Sequence, residues 1–207
     1  MHPDYRYHLG GRSINKEWFE IPLEDVWCLF EDYLYLVTKI YDLQIFSFVL
    51  MSNHFHMLAQ APNGNLSEAM RYLMRETSRE FSRLTGRINH LWGGRFNRTI
   101  ITCDHHFNCA FKYVYRNPVR AKMCERVEDY KFSTLHRLFG FDRLSIPLVE
   151  DKLLFTPNFD EQALKWLNAP TNPEHDEEVR RALKRTKFEF KTSRKTGRPS
   201  ELEKLIY

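Results

Sequence analysis

Two histidines separated by one apolar residue, His54-Phe55-His56, close the run Phe46-Ser47-Phe48-Val49-Leu50-Met51-Ser52-Asn53. On an extended strand successive side chains alternate faces, so His54 and His56 project from one side while Phe55 turns to the other, into a core. Neutral imidazole is the commonest metal ligand, and two on one rigid face make half of a metal site. The polar side of a half-buried strand is the plainer reading of the same pair. A third ligand and a nucleophile decide between them.

Both are offered about fifty residues later by Asp104-His105-His106-Phe107-Asn108-Cys109-Ala110-Phe111-Lys112-Tyr113-Val114-Tyr115-Arg116-Asn117-Pro118-Val119-Arg120. Phe107, Ala110, Phe111 and Val114 follow the i, i+3, i+4, i+7 pattern of an amphipathic helix, with Asp104 as its expected N-cap and Pro118 expected to stop it near Asn117. At about 100° per residue, Tyr113 and Asn117 stack one turn apart beside the apolar stripe, with His106 on the same flank and Tyr115 on the other. Tyr113 and Asn117 can therefore face one site together.

Met51-Ser52-Asn53-His54-Phe55-His56-Met57-Leu58 resembles the His-hydrophobe-His (HUH) strand of the single-tyrosine HUH transposases. Tyr113-Val114-Tyr115-Arg116-Asn117-Pro118-Val119-Arg120-Ala121 is similar to their Tyr-x-x-x-Asn-Pro-Val-Arg-Ala helix, and Asp129-Tyr130-Lys131-Phe132-Ser133-Thr134 to the Asp-Tyr-x-Trp-Ser-Ser stretch that follows it. The nearest subgroup is that of the REP-associated tyrosine transposases, and the likeness runs from about Tyr5 to Gly140. It implies that His54 and His56 are metal ligands, Asn117 the third ligand and Tyr113 the nucleophile. Tyr115 is the rival nucleophile, on the wrong flank of a regular helix. Phe132 stands where the family has tryptophan, a change of packing.

The implied chemistry explains the residue types. A divalent cation held by two neutral imidazoles and an amide oxygen keeps its charge and acts as a Lewis acid on a scissile phosphate. Tyr113 would attack phosphorus in line, release a 3′-hydroxyl and keep the 5′-phosphate as a phosphotyrosine. A different 3′-hydroxyl then reverses the step, so strand transfer needs no organic cofactor. The donor set suits Mg²⁺ or Mn²⁺. Single-stranded DNA beside a hairpin is the partner that the resemblance implies, and a homodimer its assembly. Two other functions share these features: a domesticated DNA-binding protein acting as a repressor or structural factor, and a metal-independent two-histidine phosphoesterase with no covalent step.

The chain has 207 residues, 43% of them apolar, and no apolar run long enough to span a bilayer. No membrane partner is expected, and an N-terminus without a signal-like segment leads to a cytoplasmic expectation. Cys28, Cys103, Cys109 and Cys124 lack Cys-x-x-Cys spacing, which argues against structural zinc and for reduced thiols. A net charge of +4 is only mildly basic, so nucleic-acid binding has to follow from where the charges fall.

The elements that must position the chemistry alternate. Tyr5 to Ser13 reads as a strand; Leu23, Val26, Trp27, Phe30, Leu34, Val37 and Tyr41 mark a long helix from Pro22; Gln44 to Leu50 and His54 to Gln60 form a hairpin around Met51-Ser52-Asn53. A second helix opens at Asn65, with Glu68 completing a variant capping box, and Trp92 to Thr102 is strand-like. This order predicts an α+β fold, a ferredoxin-like antiparallel sheet with helices on one face. Residues 1–140 are assigned to this catalytic domain and 141–207 to a C-terminal extension with a basic tail.

Leu66, Met70, Leu73, Thr77, Phe81 and Leu84 face inward on the second helix, while Arg71, Arg75, Arg79 and Arg83 recur every four residues as a candidate DNA-binding ridge. A solvated face in which Glu76 and Glu80 pair with Arg79 and Arg83 is the competing reading. Trp92-Gly93-Gly94-Arg95-Phe96-Asn97-Arg98 adds Arg95 and Arg98 as phosphate contacts, its aromatics serving either unpaired bases or the core. His8 could approach the histidine pair from a neighbouring strand, but a lone histidine is more often structural and it is left out of the site; His106 is a candidate to assist the leaving group. A helix is expected from Asp160 to Leu167. Arg180 to Arg198 is strongly basic and reads as a solvated, partly helical tail that adds nonspecific DNA affinity; Thr196-Gly197-Arg198-Pro199 only faintly resembles an AT-hook core, with threonine where a cation is needed.

Overall fold

Burial along residues 44–60 splits into two opposed sets, and that split shapes the molecule. The computed structural model describes residues 2–141, 143–149, 161–191 and 199–204. Strands β1 (Arg6–Arg12), β2 (Gln44–Leu50), β3 (His54–Gln60) and β4 (Asn97–Ile101) form one sheet in the order β2-β3-β1-β4, every neighbouring pair antiparallel. Helices α1 (Leu23–Tyr41) and α2 (Leu66–Thr85) connect β1 to β2 and β3 to β4. This is the ferredoxin-like arrangement expected from the sequence, and the hairpin strands have the predicted limits.

Tyr7, Leu9, Phe48, Leu50, Phe55, Met57 and Ala59 cover one sheet face and pack on the apolar stripes of α1 and α2. α2 closes on Gly86, whose φ of 71° lies in the left-handed region and whose N–H donates to the Ser82 carbonyl. Its start differs from expectation. Asn65 Nδ2 donates to the Tyr41 carbonyl at 3.0 Å, so no side-chain capping box forms.

Helix α3 (Asp104–Arg120) packs on the opposite face, against Phe46, Val49, Met51, Leu58 and Ile101. The sheet is therefore covered on both sides, where the sequence led to helices on one face only. A period-two strand with apolar residues on both faces needs two covers, and β2 is buried from Ile45 to Leu50. Cys103, not Asp104, is the N-cap; Asp104 Oδ1 instead accepts from Arg6 at 2.8 Å.

Past the short helix α4 (Thr134–Leu138), helices α5 (Glu161–Asn168) and α6 (Pro173–Ala182) cover α3, with Leu167, Val179, Ala182 and Leu183 joining its core. The chain then runs beside β4: Ile100 N–H donates to the Thr186 carbonyl at 2.9 Å and Phe188 N–H to the Ile100 carbonyl at 2.8 Å. Leu202 is fully buried and its carbonyl meets His105 Nε2 at 2.5 Å. The AT-hook-like residues 196–198 lie outside the described residues, as does most of the basic run beyond Lys191.

Gly11 in β1 faces the Phe55 ring, where an added Cβ would lie 2.6 Å from Cε1 and 3.3 Å from the Met74 methyl. Gly11→Ala should therefore destabilise the fold by about 1–3 kcal/mol through overpacking. Gly94→Ala, with open space around the new methyl, should change stability by less than about 0.5 kcal/mol. Urea denaturation of both variants measures the difference.

Candidate functional site

Antiparallel register places Gly10 of β1 opposite His56 and Arg12 opposite His54. His8, Gly10 and Arg12 therefore share the sheet face of the histidine pair. The His54 and His56 rings lie 5.0 Å apart at 82°, as the strand alternation predicts. Gly10 has no side chain to fill the space beside His56.

Each of the two rings is held through Nδ1. Asn53 Nδ2 donates to the Lys16 carbonyl at 2.6 Å, which fixes the amide so that its Oδ1, 2.7 Å from His54 Nδ1, accepts. His54 thus carries its proton on Nδ1 and keeps a lone pair on Nε2. His56 Nδ1 lies 2.9 Å from His8 Nε2. Burial, with help from the Arg12 guanidinium, lowers the His54 pKa from 6.5 to about 4. His56 is driven well below its ordinary value by burial first, then by His8, His54, Arg12 and Arg120. The pair is neutral, the form that ligates metals.

α3 brings Tyr113 to them from the same chain: its ring centroid is 6.0 Å from that of His56, edge on. The Arg120 guanidinium lies 4.8 Å over the Tyr113 ring. The helix does not stop before Pro118 but continues to Arg120. Proline has no N–H to give the Val114 carbonyl four residues back, and the Asn117 amide nitrogen lies beside the same turn. Asn117 Nδ2 donates to the Tyr113 carbonyl at 2.9 Å and to the Val114 carbonyl at 3.5 Å. That use of the amide nitrogen leaves Oδ1 as the free donor atom of Asn117.

Tyr115 points elsewhere. It is 1% exposed, its hydroxyl is 2.9 Å from Thr134 Oγ1, and burial pushes its pKa up. His106 is engaged by Glu203 at 3.2 Å and by the Phe188 ring, and it does not line the cleft. The expectation that it assists a leaving group is not met.

His54, His56, Tyr113 and Asn117 line one open cleft of about 790 Å³. Seven cations border it: Arg12, Lys16, Arg98, Arg120, Arg180, Lys184 and Arg185. No aspartate or glutamate lines it among the described residues. Of these cations the sequence marks Arg98 as a phosphate contact and Arg180, Lys184 and Arg185 as part of a basic run, but not as neighbours of the histidines. Arg12 and Lys16, from β1 and the loop after it, carry no local signal.

The remaining predicted DNA contacts lie on a second surface. Arg71, Arg75, Arg79 and Arg95 border a groove of about 980 Å³ along α2, with Ser78, Ser82, Ile88 and Phe96. Arg75 and Arg79 both pair with the buried Glu76, at 2.8 and 3.0 Å, and Arg83 pairs with Glu80. Part of the ridge is thus the paired, solvated face that was the competing reading. Trp92 belongs to the core, its Nε1 donating to the Met74 carbonyl at 3.1 Å.

Among the described residues no group of three His, Cys, Asp or Glu side chains forms a metal centre. Asn117 Oδ1, in the same cleft, is a neutral oxygen that could join the two imidazoles in holding a cation. Two imidazole nitrogens and an amide oxygen match the donor preference of Mn²⁺ and, less closely, of Mg²⁺.

Comparison with known proteins agrees with this architecture. A REP-associated tyrosine transposase of Escherichia coli (strain K12) is 29% identical over 94 residues, covering 45% of this chain and 55% of that protein. A Haemophilus influenzae protein described under the same family name is 26% identical over 108 residues, covering 47% of this chain and 61% of that one. The chain thus spans a little over half the length of these curated relatives. A solved REP-associated tyrosine transposase bound to a REP hairpin superposes with a TM-score of 0.57 at 18% identity, over 73% of this chain and 92% of that one, a likeness of fold. The model of the family described as "Transposase IS200 like" matches residues 5–129, well over half of the sequence, and the chain therefore belongs to the IS200-like transposases.

Proposed function

We propose that the protein is a metal-dependent single-stranded DNA endonuclease and strand transferase that works through a phosphotyrosine on Tyr113. The observation that carries this reading is the meeting of Tyr113, Asn117 and the neutral pair His54 and His56 in one cationic cleft. In the proposed reaction Tyr113 Oη attacks a phosphodiester, the bond to the leaving 3′-oxygen breaks, and the 5′-phosphate stays on the tyrosine. Return of a 3′-hydroxyl reverses the exchange and joins new ends. A divalent cation, Mg²⁺ or Mn²⁺, held by His54, His56 and Asn117 would supply Lewis acidity at the phosphate. Arg120 lies over the Tyr113 ring, and the cations around the cleft counter the substrate's charge. The relative whose structure contains a REP hairpin supports hairpin DNA as the substrate class.

Two surfaces divide the DNA in this reading. The scissile strand enters the cleft between Arg12, Arg98 and the extension residues Lys184 and Arg185. Arg71, Arg75, Arg79 and Arg95 contact flanking backbone along the α2 groove, while Arg83, paired with Glu80, adds charge beside it. The loop from Gly94 to Arg98 joins the two, since Arg95 borders one and Arg98 the other.

The nucleophile is tested by incubating the protein with labelled hairpin-bearing single-stranded DNA and Mn²⁺, then denaturing. A protein-linked label should appear, vanish with a chelator, and be absent in Tyr113→Phe. Tyr115→Phe should keep the adduct while losing about 1 kcal/mol of stability, because the Thr134 hydroxyl loses a buried partner. A released product with no linked label would make the protein a hydrolase, and no cleavage at all would make it a binding protein. The DNA path is tested by anisotropy over a salt series. Lys184→Ala should reduce the slope of log affinity against log salt by about 0.7 on single-stranded DNA, and an unchanged slope would remove the extension from the path.

A further inference from the structure

His8 takes no part in the chemistry described so far, yet it is 5% exposed and meets His56 edge to edge, with ring centroids 5.1 Å apart and ring planes inclined by 26°. Its Nε2 is 2.9 Å from His56 Nδ1. A neutral imidazole has one N–H and one lone pair, so a histidine can ligate through Nε2 only when its proton sits on Nδ1. Such a proton needs an acceptor when the ring is buried. For His54 the acceptor is Asn53 Oδ1, oriented by the Lys16 carbonyl. For His56 the group in the equivalent place is His8.

We propose that His8 is a positioning residue that holds His56 with its proton on Nδ1 and its lone pair on Nε2, readying that histidine to bind the cation. The inference rests on the reading of the cleft as a divalent-metal centre. It requires His8 Nε2 to accept, which leaves the His8 proton on its own Nδ1. In the reverse arrangement His8 Nε2–H donates to His56 Nδ1, the His56 proton moves to Nε2, and the ring is lost as a ligand. β1 secures the geometry, because His8 is a central residue of the strand, with Leu58 on one side and Thr99 on the other. A lone histidine in a strand carries no sequence signature of this role. The sequence allows His8 to approach the histidine pair from a neighbouring strand, and the structure identifies His56, 48 residues away, as the ring it meets.

Two measurements on the full chain test the assignment. Calorimetric titration of the metal-free protein with Mn²⁺ should show His8→Ala binding about 10–100-fold more weakly than wild type. His8→Gln should recover most of the loss, because its Oε1 reaches about as far as the histidine Nε2 and can accept the same proton. Long-range ¹H–¹⁵N spectra of metal-free wild type should show His56 as the Nδ1–H tautomer, and this measurement needs no variant to fold. A His56 proton on Nε2, or a folded His8→Ala that binds Mn²⁺ as wild type does, overturns the proposal. Wild type that binds no Mn²⁺ removes the metal centre itself, and the spectra then decide separately whether His8 fixes the His56 tautomer.

Discussion

Everything in this protein that can do chemistry depends on the two-residue period of β3. One strand supplies Phe55 and Met57 to the core under α1 and α2, and His54 and His56 to the other face. A slip of one residue in its pairing with β1 would bury both imidazoles among aromatic rings and expose Phe55. Such a slip is opposed by the fit of Gly11 to the Phe55 ring and by the contacts of that ring with Phe30, Phe48 and Trp92. The core thereby sets the position of the histidines more firmly than any contact within the cleft.

The second constraint is that α3 occupies the histidine side of the sheet. Had it joined α1 and α2, Tyr113 and the histidines would face different compartments. The buried apolar residues of α3 pack on β2 and β3, and the flank carrying Tyr113 and Asn117 is left at the cleft's edge. The C-terminal extension then completes the opposite rim by running beside β4. An alignment limited to the family core, residues 5–129, contains none of the three cations, Arg180, Lys184 and Arg185, that the extension places there.

Local pattern made much of this legible. The hairpin limits, the long α1, the inward stripe of α2 from Leu66 to Phe81 and the stacking of Tyr113 on Asn117 follow from period and spacing, because each is decided within one element; Leu84, assigned to the same stripe, lies in the last turn of α2 and is exposed. Three features were not legible, each for a physical reason. The second helical layer follows from burial of both faces of β2, and apolar content alone does not say what covers a face. The passage of α3 through Pro118 to Arg120 runs against the local rule that proline stops a helix, and nothing in the local spacing marks the exception. The cationic rim gathers residues from 12 to 185, a grouping only the folded chain creates. Trp92 and the Glu76 pairs show the opposite error, in which a surface function was entertained for residues that the core and local ion pairs already employ.

The splint that Asn117 provides for its own helix limits what evolution or design could place there. An aspartate would offer a cation a full negative charge and so look like an improvement. It has no N–H to donate, however, and its carboxylate would stand against the carbonyl oxygens of Tyr113 and Val114 with only repulsion between them. The turn that carries the phenol would loosen as the binding atom strengthened. A primary amide reconciles the two demands, since one end can mend the backbone while the other looks outward.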